Sequence, residues 1–239
     1  MLVNHILVGL VLIGMPVTAI LEFKRINNAV GSFVREKLYY KIFFLYWTIT
    51  LLFILFSSFD STLSITSISE NLTIVRIALI VSLVYLTFDQ FLPIVLIFFS
   101  RKMRQLTAKT FSLVPMHPVT FREKKVFWIV PITVGICEEI IFRGYLFQYF
   151  QASPYGLSAA LSLLLVSLLF GIGHFQQGMS GIIMTIFLGL FLGSIYLLTG
   201  SLILPILIHI IFDAKILFIP WVLQRNQKSD EEIVLLDKI

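Results

Sequence analysis

Ionisable side chains that could carry out chemistry interrupt three apolar runs in the second half of the chain. The residues concerned are Glu138, Glu139, Arg143, His174, His209 and Asp213. A glutamate and a histidine together can activate a water molecule by general base catalysis, and a second histidine can stabilise the resulting oxyanion. Hydrolysis of a peptide bond is therefore one chemistry that these residue types fit.

Two other chemistries fit the same residues. Two histidines with a glutamate and an aspartate could bind zinc, although the His-Glu-x-x-His pattern of soluble metalloproteases is absent. Carboxylates inside a membrane could also form a path for protons or ions. The residue types alone leave these three alternatives open.

The spacing within the first group separates its members into two roles. On a helix Glu139 and Arg143 are neighbours four residues apart, with the glutamate in the favourable N-terminal position. Glu138 points about 100° away from Glu139, so Arg143 cannot easily bind both carboxylates. We therefore expect a structural Glu139–Arg143 pair and a second carboxylate, Glu138, that faces another partner. The alternative is a buried ion network with a purely structural role.

Composition indicates that membrane helices position these residues. The chain has 239 residues, of which 58% are hydrophobic and 13% charged, with a mean hydropathy of +0.97. Soluble domains have nearly half their residues apolar and about a quarter charged. The sequence thus predicts an all-α polytopic membrane protein. Its net charge of +5 reflects basic loops beside apolar runs, so we expect no nucleic acid partner. A single cysteine, Cys137, excludes an internal disulfide framework and is expected to be a packing residue.

The apolar runs predict seven transmembrane helices, since about 20 residues span a bilayer. They cover residues 2–21, 42–59, 72–100, 126–149, 157–170, 181–198 and 202–223. The third run is too long unless it tilts or breaks near Asp89 or Pro93, and its division would give an eighth span. We interpret residues 1–223 as one multi-pass domain with a catalytic core at 126–223, followed by a polar cytoplasmic tail at 224–239. Gly189 and Gly193 have the spacing that lets helices approach closely.

The distribution of lysine and arginine predicts the orientation of these helices. Basic links after the first and third runs are expected on the cytoplasmic side, and the link at 60–71, which has no lysine or arginine, outside. Glu138, His174, His209 and Asp213 then all fall between mid-membrane and the cytoplasmic side. Polar residues on separate membrane helices need a shared hydrated space. We therefore expect a polar cavity open to the cytoplasm.

Three motifs in this half of the chain resemble those of a known protease family. Glu138-Glu139-x-x-x-Arg143, Phe170-x-x-x-His174 and His209-x-x-x-Asp213 are similar, in this order, to the motifs of the CPBP family of CAAX proteases and bacteriocin-processing enzymes, also called the Abi family. The resemblance implies an all-helical intramembrane glutamic endopeptidase without an obligatory metal or other cofactor.

The resemblance also implies a role for each motif residue. Glu138 and His174 would activate water, and His209 and Asp213 would support the oxyanion. Glu139, Arg143 and Phe170 would support the structure of the site. Asp213 departs from the asparagine of the eukaryotic prenyl-protein proteases. An ionised aspartate cannot donate to an oxyanion, so Asp213 would have to be protonated or else orient His209 as an acceptor.

The expected partners are the lipid bilayer and a membrane-associated peptide or protein substrate. We expect a bacterial plasma membrane location, with the site reached from the cytoplasm. The sequence does not define the oligomeric state or the cleavage site. The alternative function is that of a non-catalytic membrane scaffold, chaperone or bacteriocin-immunity factor with the same fold.

Overall fold

The structure of the protein is a computed structural model that describes residues 2–27, 32–56, 72–88, 92–112, 116–152 and 154–236. Within these ranges all regular secondary structure is helical. The predicted all-α class is therefore confirmed. Helices satisfy every internal backbone hydrogen bond within one segment, as an apolar environment requires.

The first half of the chain forms five helices, which we label α1 to α5. Helix α1 covers residues 2–27 and contains a π-helical turn at Leu10–Gly14. The others are α2 at Ser32–Phe56, α3 at Leu72–Leu86, α4 at Leu92–Phe99 and α5 at Arg101–Ser112.

The long third apolar run contains two helices, α3 and α4. Of the residues between them, 89–91 lie outside the described ranges, and the predicted break near Asp89 falls there. Helix α4 has eight residues and so rises only about 12 Å. Because the hydrocarbon core is about 30 Å thick, α4 is too short to cross it alone.

The second half forms four further helices. Helix α6 covers residues 121–151 and consists of Phe121–Phe127, Ile129–Glu139, a π-helical segment at Ile140–Leu146 and Phe147–Gln151. Helix α7 is Ala159–Gly173, and a short 3₁₀ turn leads into α8 at Gly178–Thr199. Helix α9 runs from Ile203 to Leu236 and thus continues through most of the predicted tail.

A capping box fixes the beginning of α6. The Thr120 hydroxyl accepts from the backbone N–H of Glu123, whose carboxylate accepts from the backbone N–H of Thr120. Glu123 also accepts from Arg35 of α2 at 2.9 Å. Burial raises the pKa of this carboxyl group, but the hydrogen bonds from Thr120, Val119 and Arg35 outweigh burial and lower it overall. Helix α6 is therefore held to α2 at its first turn.

Helix α6 lies between α2 and α9, and α7 packs closely against α8. Buried side chains from α1, α2, α6 and α7 form the largest core cluster, which includes Val11, Phe53, Leu146 and Phe170. The predicted approach of helices at glycine is confirmed between α7 and α8. A Cβ added to Gly189 would lie only 3.2 Å from Cα of Ser167.

Large apolar side chains are exposed along α1, α2 and α3, as expected for helices that face lipid. Among the described residues, four segments are long and apolar enough to cross a membrane: Leu2–Glu22, Val34–Phe56, Phe175–Thr199 and Ile203–Pro220. Arg76–Leu86 and Ala159–Gly173 are shorter apolar helices. The protein is thus a multi-helix membrane protein, and the count of seven or eight spans stays a prediction. Glu138, Glu139 and Arg143 make the predicted fourth span too charged to belong to this set.

Candidate active site

The glutamate pair lies in the middle of α6, where the helix is enclosed by its neighbours. Glu138 is 4% exposed, Glu139 is fully buried and Arg143 is 2% exposed. Immediately after Glu139 the helix changes to π-helical geometry at Ile140–Leu146. A π-helical segment often marks a functional site, because the extra residue in the turn redirects the side chains around it.

Glu139 and Arg143 form the ion pair that their spacing predicts. Nη1 of Arg143 donates to Oε1 of Glu139 at 2.7 Å. The guanidinium group also donates from Nη2 to the carbonyl oxygen of Gly189 on α8 at 3.1 Å. Its Cζ lies 4.5 Å from the ring centre of Phe170 on α7, a cation–π geometry. Arg143 thus joins three helices while its charge is compensated within α6.

His209 of α9 lies among three carboxylates. Its Nδ1 is 2.8 Å from Oε1 of Glu139, within hydrogen-bond distance. Its Nε2 is 3.8 Å from Oε2 of Glu138 and 3.7 Å from Oδ2 of Asp213, both longer than a hydrogen bond. Because a carboxylate can only accept, Nδ1 carries a proton and Nε2 faces Glu138 and Asp213.

The two oxygens of Glu138 have different surroundings. Oε1 accepts a hydrogen bond from the hydroxyl of Tyr46 at 2.9 Å. Oε2 is buried and accepts no hydrogen bond from any described residue, as is also true of Oε2 of Glu139. A buried carboxylate oxygen without a donor is costly in a structural role and is available to a substrate or water.

His174 lies at the C-terminal end of α7, at the more open side of the site. Its Nδ1 is 2.8 Å from the carbonyl oxygen of Phe170, and the two rings are 4.8 Å apart. No hydrogen bond joins His174 to Glu138 in the described part of the chain. His174 does lie near enough to Asp213 to interact with it electrostatically. The Asp213 side chain is itself 29% exposed.

Phe170 is the apolar centre around which these side chains assemble. Its ring makes edge contacts with Phe142 at 4.9 Å and with His209 at 5.8 Å, measured between ring centres. Since it also contacts Arg143 and His174, it touches residues from all three motifs. The structure therefore brings the six predicted polar residues and Phe170 to one place, with His174 and Asp213 on the accessible side.

Two contacts of the site are absent from the sequence prediction. The bond between His209 and Glu139 crosses from α9 to α6, and sequence spacing carries no information about it. Tyr46 lies on α2 and is distant from the three motifs in sequence, although it contacts Glu138 in space. A phenol in the middle of an otherwise apolar span was the one signal that could have drawn attention to it, because a buried Tyr O–H usually has a partner.

Cys137, next to Glu138, is fully buried and has the packing position that the sequence predicted. For metal binding, no group of three or more histidine, cysteine or acidic side chains in the described ranges has suitable geometry. The zinc alternative thus stays a hypothesis without a preformed site in that part of the chain.

Comparison with known proteins gives one match. Residues 123–214, somewhat under half of the chain, match the model of the family described as type II CAAX prenyl endopeptidase Rce1-like. This segment contains all three motifs and confirms the resemblance to the CAAX proteases. Neither the curated proteins nor the solved structures yield a match.

Proposed function

We propose that this membrane protein is an intramembrane glutamic endopeptidase, because residues 123–214 match the family model of the type II CAAX prenyl endopeptidases. Its substrate would be a membrane-associated peptide or protein. The observation that carries this function is the asymmetry of the glutamate pair. Glu139 binds the cationic Arg143 and also His209, whereas among the described residues Glu138 accepts a hydrogen bond only from the neutral hydroxyl of Tyr46.

Glu138 is the general base of the proposed reaction. Its Oε2 takes a proton from a water molecule as the water oxygen attacks the carbonyl carbon of the scissile peptide. His174, at the open side of the site, orients this water. When the C–N bond of the tetrahedral intermediate breaks, the same proton passes from Glu138 to the leaving nitrogen. The products are a free carboxylate and a free amine.

His209 stabilises the oxyanion of the intermediate. With Nδ1–H donating to Glu139, a protonated His209 presents a second N–H, at Nε2, to the space beside Glu138 and Asp213. Three surrounding carboxylates favour the imidazolium form. A positive donor held in place before the reaction is the kind of group that lowers such a barrier most.

Asp213 supports the oxyanion through His209. An ionised carboxylate would repel the oxyanion directly, but at 3.7 Å from Nε2 it favours the charged imidazole. This proposal is closer to the second of the two roles that the sequence left open for Asp213, in which the ionised carboxylate acts on His209.

The proposed location is a bacterial plasma membrane, with cleavage from the cytoplasmic side. Basic residues concentrate in the segment from Arg101 to Lys125, which runs from α5 into the start of α6 and is therefore expected to face the cytoplasm. The accessible side chains, His174 and Asp213, lie toward the same side in the predicted orientation.

The proposed activity is tested by comparing membrane peptides from cells that produce wild type or Glu138→Ala. We expect peptide products that are present with wild type and absent with the variant, because only Glu138 can accept the proton of the attacking water. The matched control is Glu22→Ala, which removes a glutamate whose partners, Lys41 and Arg25, lie outside the site.

Full cleavage by Glu138→Ala would overturn the mechanism. If instead the cellular effect of the protein persisted in both Glu138→Ala and His174→Ala without any proteolysis, binding would be its function. Activity that is lost with a strong chelator and restored by zinc would favour the metalloprotease alternative.

A further inference from the structure

Tyr46 contacts the proposed general base from a helix outside the family-matched segment. Its hydroxyl donates to Oε1 of Glu138 at 2.9 Å, and it lies on α2, whereas the match begins at residue 123. We propose that Tyr46 is a positioning residue that holds Glu138 with Oε2 directed toward His209 and the attacking water. This inference rests on the proposed peptidase function.

The hydrogen bond decides which carboxylate oxygen is available. The terminal torsion of a glutamate is broad, so a free carboxylate exchanges its two oxygens easily. In this site Tyr46 occupies Oε1, and Oε2 is left 3.8 Å from Nε2 of His209. Tyr46 therefore presents one oxygen in a fixed direction, which lowers the cost of reaching a productive geometry.

The packing of α2 holds Tyr46 in place. Residues 46, 49, 50 and 53 share one face of the helix, since they recur three or four residues apart. Ile49 and Phe53 on this face belong to the largest core cluster, and the Phe53 ring lies 4.3 Å from that of Tyr145 on α6. The phenol is thus anchored by apolar contacts one and two turns further along α2.

The phenol hydroxyl contacts the carboxylate that takes the proton in the proposed reaction, so the pH profile of activity should respond to its removal. Other titratable groups face Glu138 from α6 and α9. They are Cys137, Glu139, Arg143, His209 and Asp213, with His174 beyond Asp213. Removing the phenol hydroxyl leaves all of these in place, so a change in the pH profile reports on the Tyr46 contact.

The test compares Tyr46→Phe with Tyr39→Phe in the full-length protein reconstituted in liposomes, using a peptide substrate identified from the membrane comparison. Tyr39 is the matched control because it lies on the same helix and donates its hydroxyl to the carbonyl oxygen of Met116, away from the site. For Tyr46→Phe we expect kcat to fall about tenfold or more, the loss typical of a hydrogen bond to a charged group, with KM little changed.

The pH profile separates positioning from general structural damage. In Tyr46→Phe the acid limb of kcat/KM should move to higher pH, whereas Tyr39→Phe should keep the wild-type profile. Incorporation of fluorotyrosine at Tyr46 provides a second measurement, because the more acidic phenol is a stronger donor. It should move the acid limb to lower pH while the fold is retained.

An unchanged acid limb in both the phenylalanine and the fluorotyrosine proteins would overturn the positioning role. Equal losses of kcat in Tyr46→Phe and Tyr39→Phe would also overturn it, since a helix-wide effect would then explain them. Failure of the proposed function looks different, because Glu138→Ala would itself remain active. An inactive Glu138→Ala beside a Tyr46→Phe protein with wild-type kinetics would refute only the role of Tyr46.

Discussion

The two adjacent glutamates of the site have different partners. Glu139 receives a hydrogen bond from Arg143 and another from His209, so its charge is compensated twice. An ionised group buried without such partners would cost several kcal/mol, and removal of one partner of a buried pair typically costs about 3–5 kcal/mol. Among the described residues Glu138 has one hydrogen-bond donor, the neutral hydroxyl of Tyr46. This difference in partners is what the proposed roles of the two glutamates rest on.

Asp213 gives a prediction at the scale of a single residue. Asp213→Asn should keep only part of the wild-type kcat, because its amide can donate to the oxyanion but carries no charge to favour the imidazolium form of His209. Asp213→Ala provides neither, and we expect its kcat to fall further, by at least about tenfold, toward the loss seen on removal of an oxyanion donor. Single-turnover kinetics of both proteins at neutral pH measure the difference.

If Asp213→Asn were as inactive as Asp213→Ala, the negative charge itself would be required and an amide could not replace it. Leu207→Ala is a suitable control. It shortens an exposed apolar side chain on the same helix that makes no contact with the site residues described above. Its kcat should stay near that of wild type.

At the residue scale, the sequence predicted the ion pair within one helix and the convergence of the motif residues, but not the individual hydrogen bonds that join helices. The Glu139–Arg143 pair follows from four-residue spacing, which is a property of the helix alone. The His209–Glu139 and Tyr46–Glu138 bonds join residues 70 and 92 positions apart. Their formation depends on how α2, α6 and α9 pack, and no local pattern encodes that.

Among the helices, the π-helical segment of α6 and the close α7–α8 contact set the shape of the site. The apolar pattern of residues 126–149 predicted a helix, but apolar periodicity does not distinguish an α-helical turn from a π-helical one. A close helix contact at Gly189 and Gly193 of α8 was predicted, because small residues four apart are the usual sequence signal of such a contact. The spacing did not identify α7 as the partner helix. Gly189 serves two purposes, since its carbonyl oxygen also accepts from Arg143.

Gly189→Ala should therefore damage both packing and activity. Its added Cβ would lie 3.1 Å from Cβ of Ser167 and 3.3 Å from the Phe170 ring, tighter than ordinary contacts. Relief of this overlap moves α7 away from α8, at a cost of roughly 1–3 kcal/mol. We expect a lower Tm in detergent and a lower kcat, because Phe170 and the Arg143 acceptor move together.

Gly9→Ala is the matched control for this substitution. No atom lies within 4 Å of a Cβ added at Gly9 in α1. Because alanine is a better helix former than glycine by about 1 kcal/mol, its Tm should be unchanged or higher. A Gly189→Ala protein as stable and as active as Gly9→Ala would show that the α7–α8 contact tolerates expansion.

For the whole molecule, apolar composition predicted a helical membrane protein but not how many of its helices cross the bilayer. Length and hydropathy define a span only when few charges interrupt it. The three charged residues Glu138, Glu139 and Arg143 are too many for α6 to be recognised in this way. In the third apolar run, length and hydropathy suggest one span where the structure has two shorter helices. The run is long enough for a tilted span, yet it forms the separate helices α3 and α4, of 15 and 8 residues.

The remaining prediction concerns the path of the chain through the membrane between residues 61 and 109. If α3 and α4 together make one crossing, a cysteine at Ser61 and one at Lys109 lie on opposite sides. The seven-span arrangement places Ser61 outside and Lys109 in the cytoplasm, whereas two crossings would place both on the same side.

In intact bacterial cells, an impermeant maleimide should therefore label Ser61→Cys, and label Lys109→Cys only after permeabilisation. The parent protein is its own control because Cys137 is fully buried and should not react. Labelling of both positions in intact cells would contradict the seven-span arrangement and move the basic segment, and with it the entrance proposed for substrate, to the outer face.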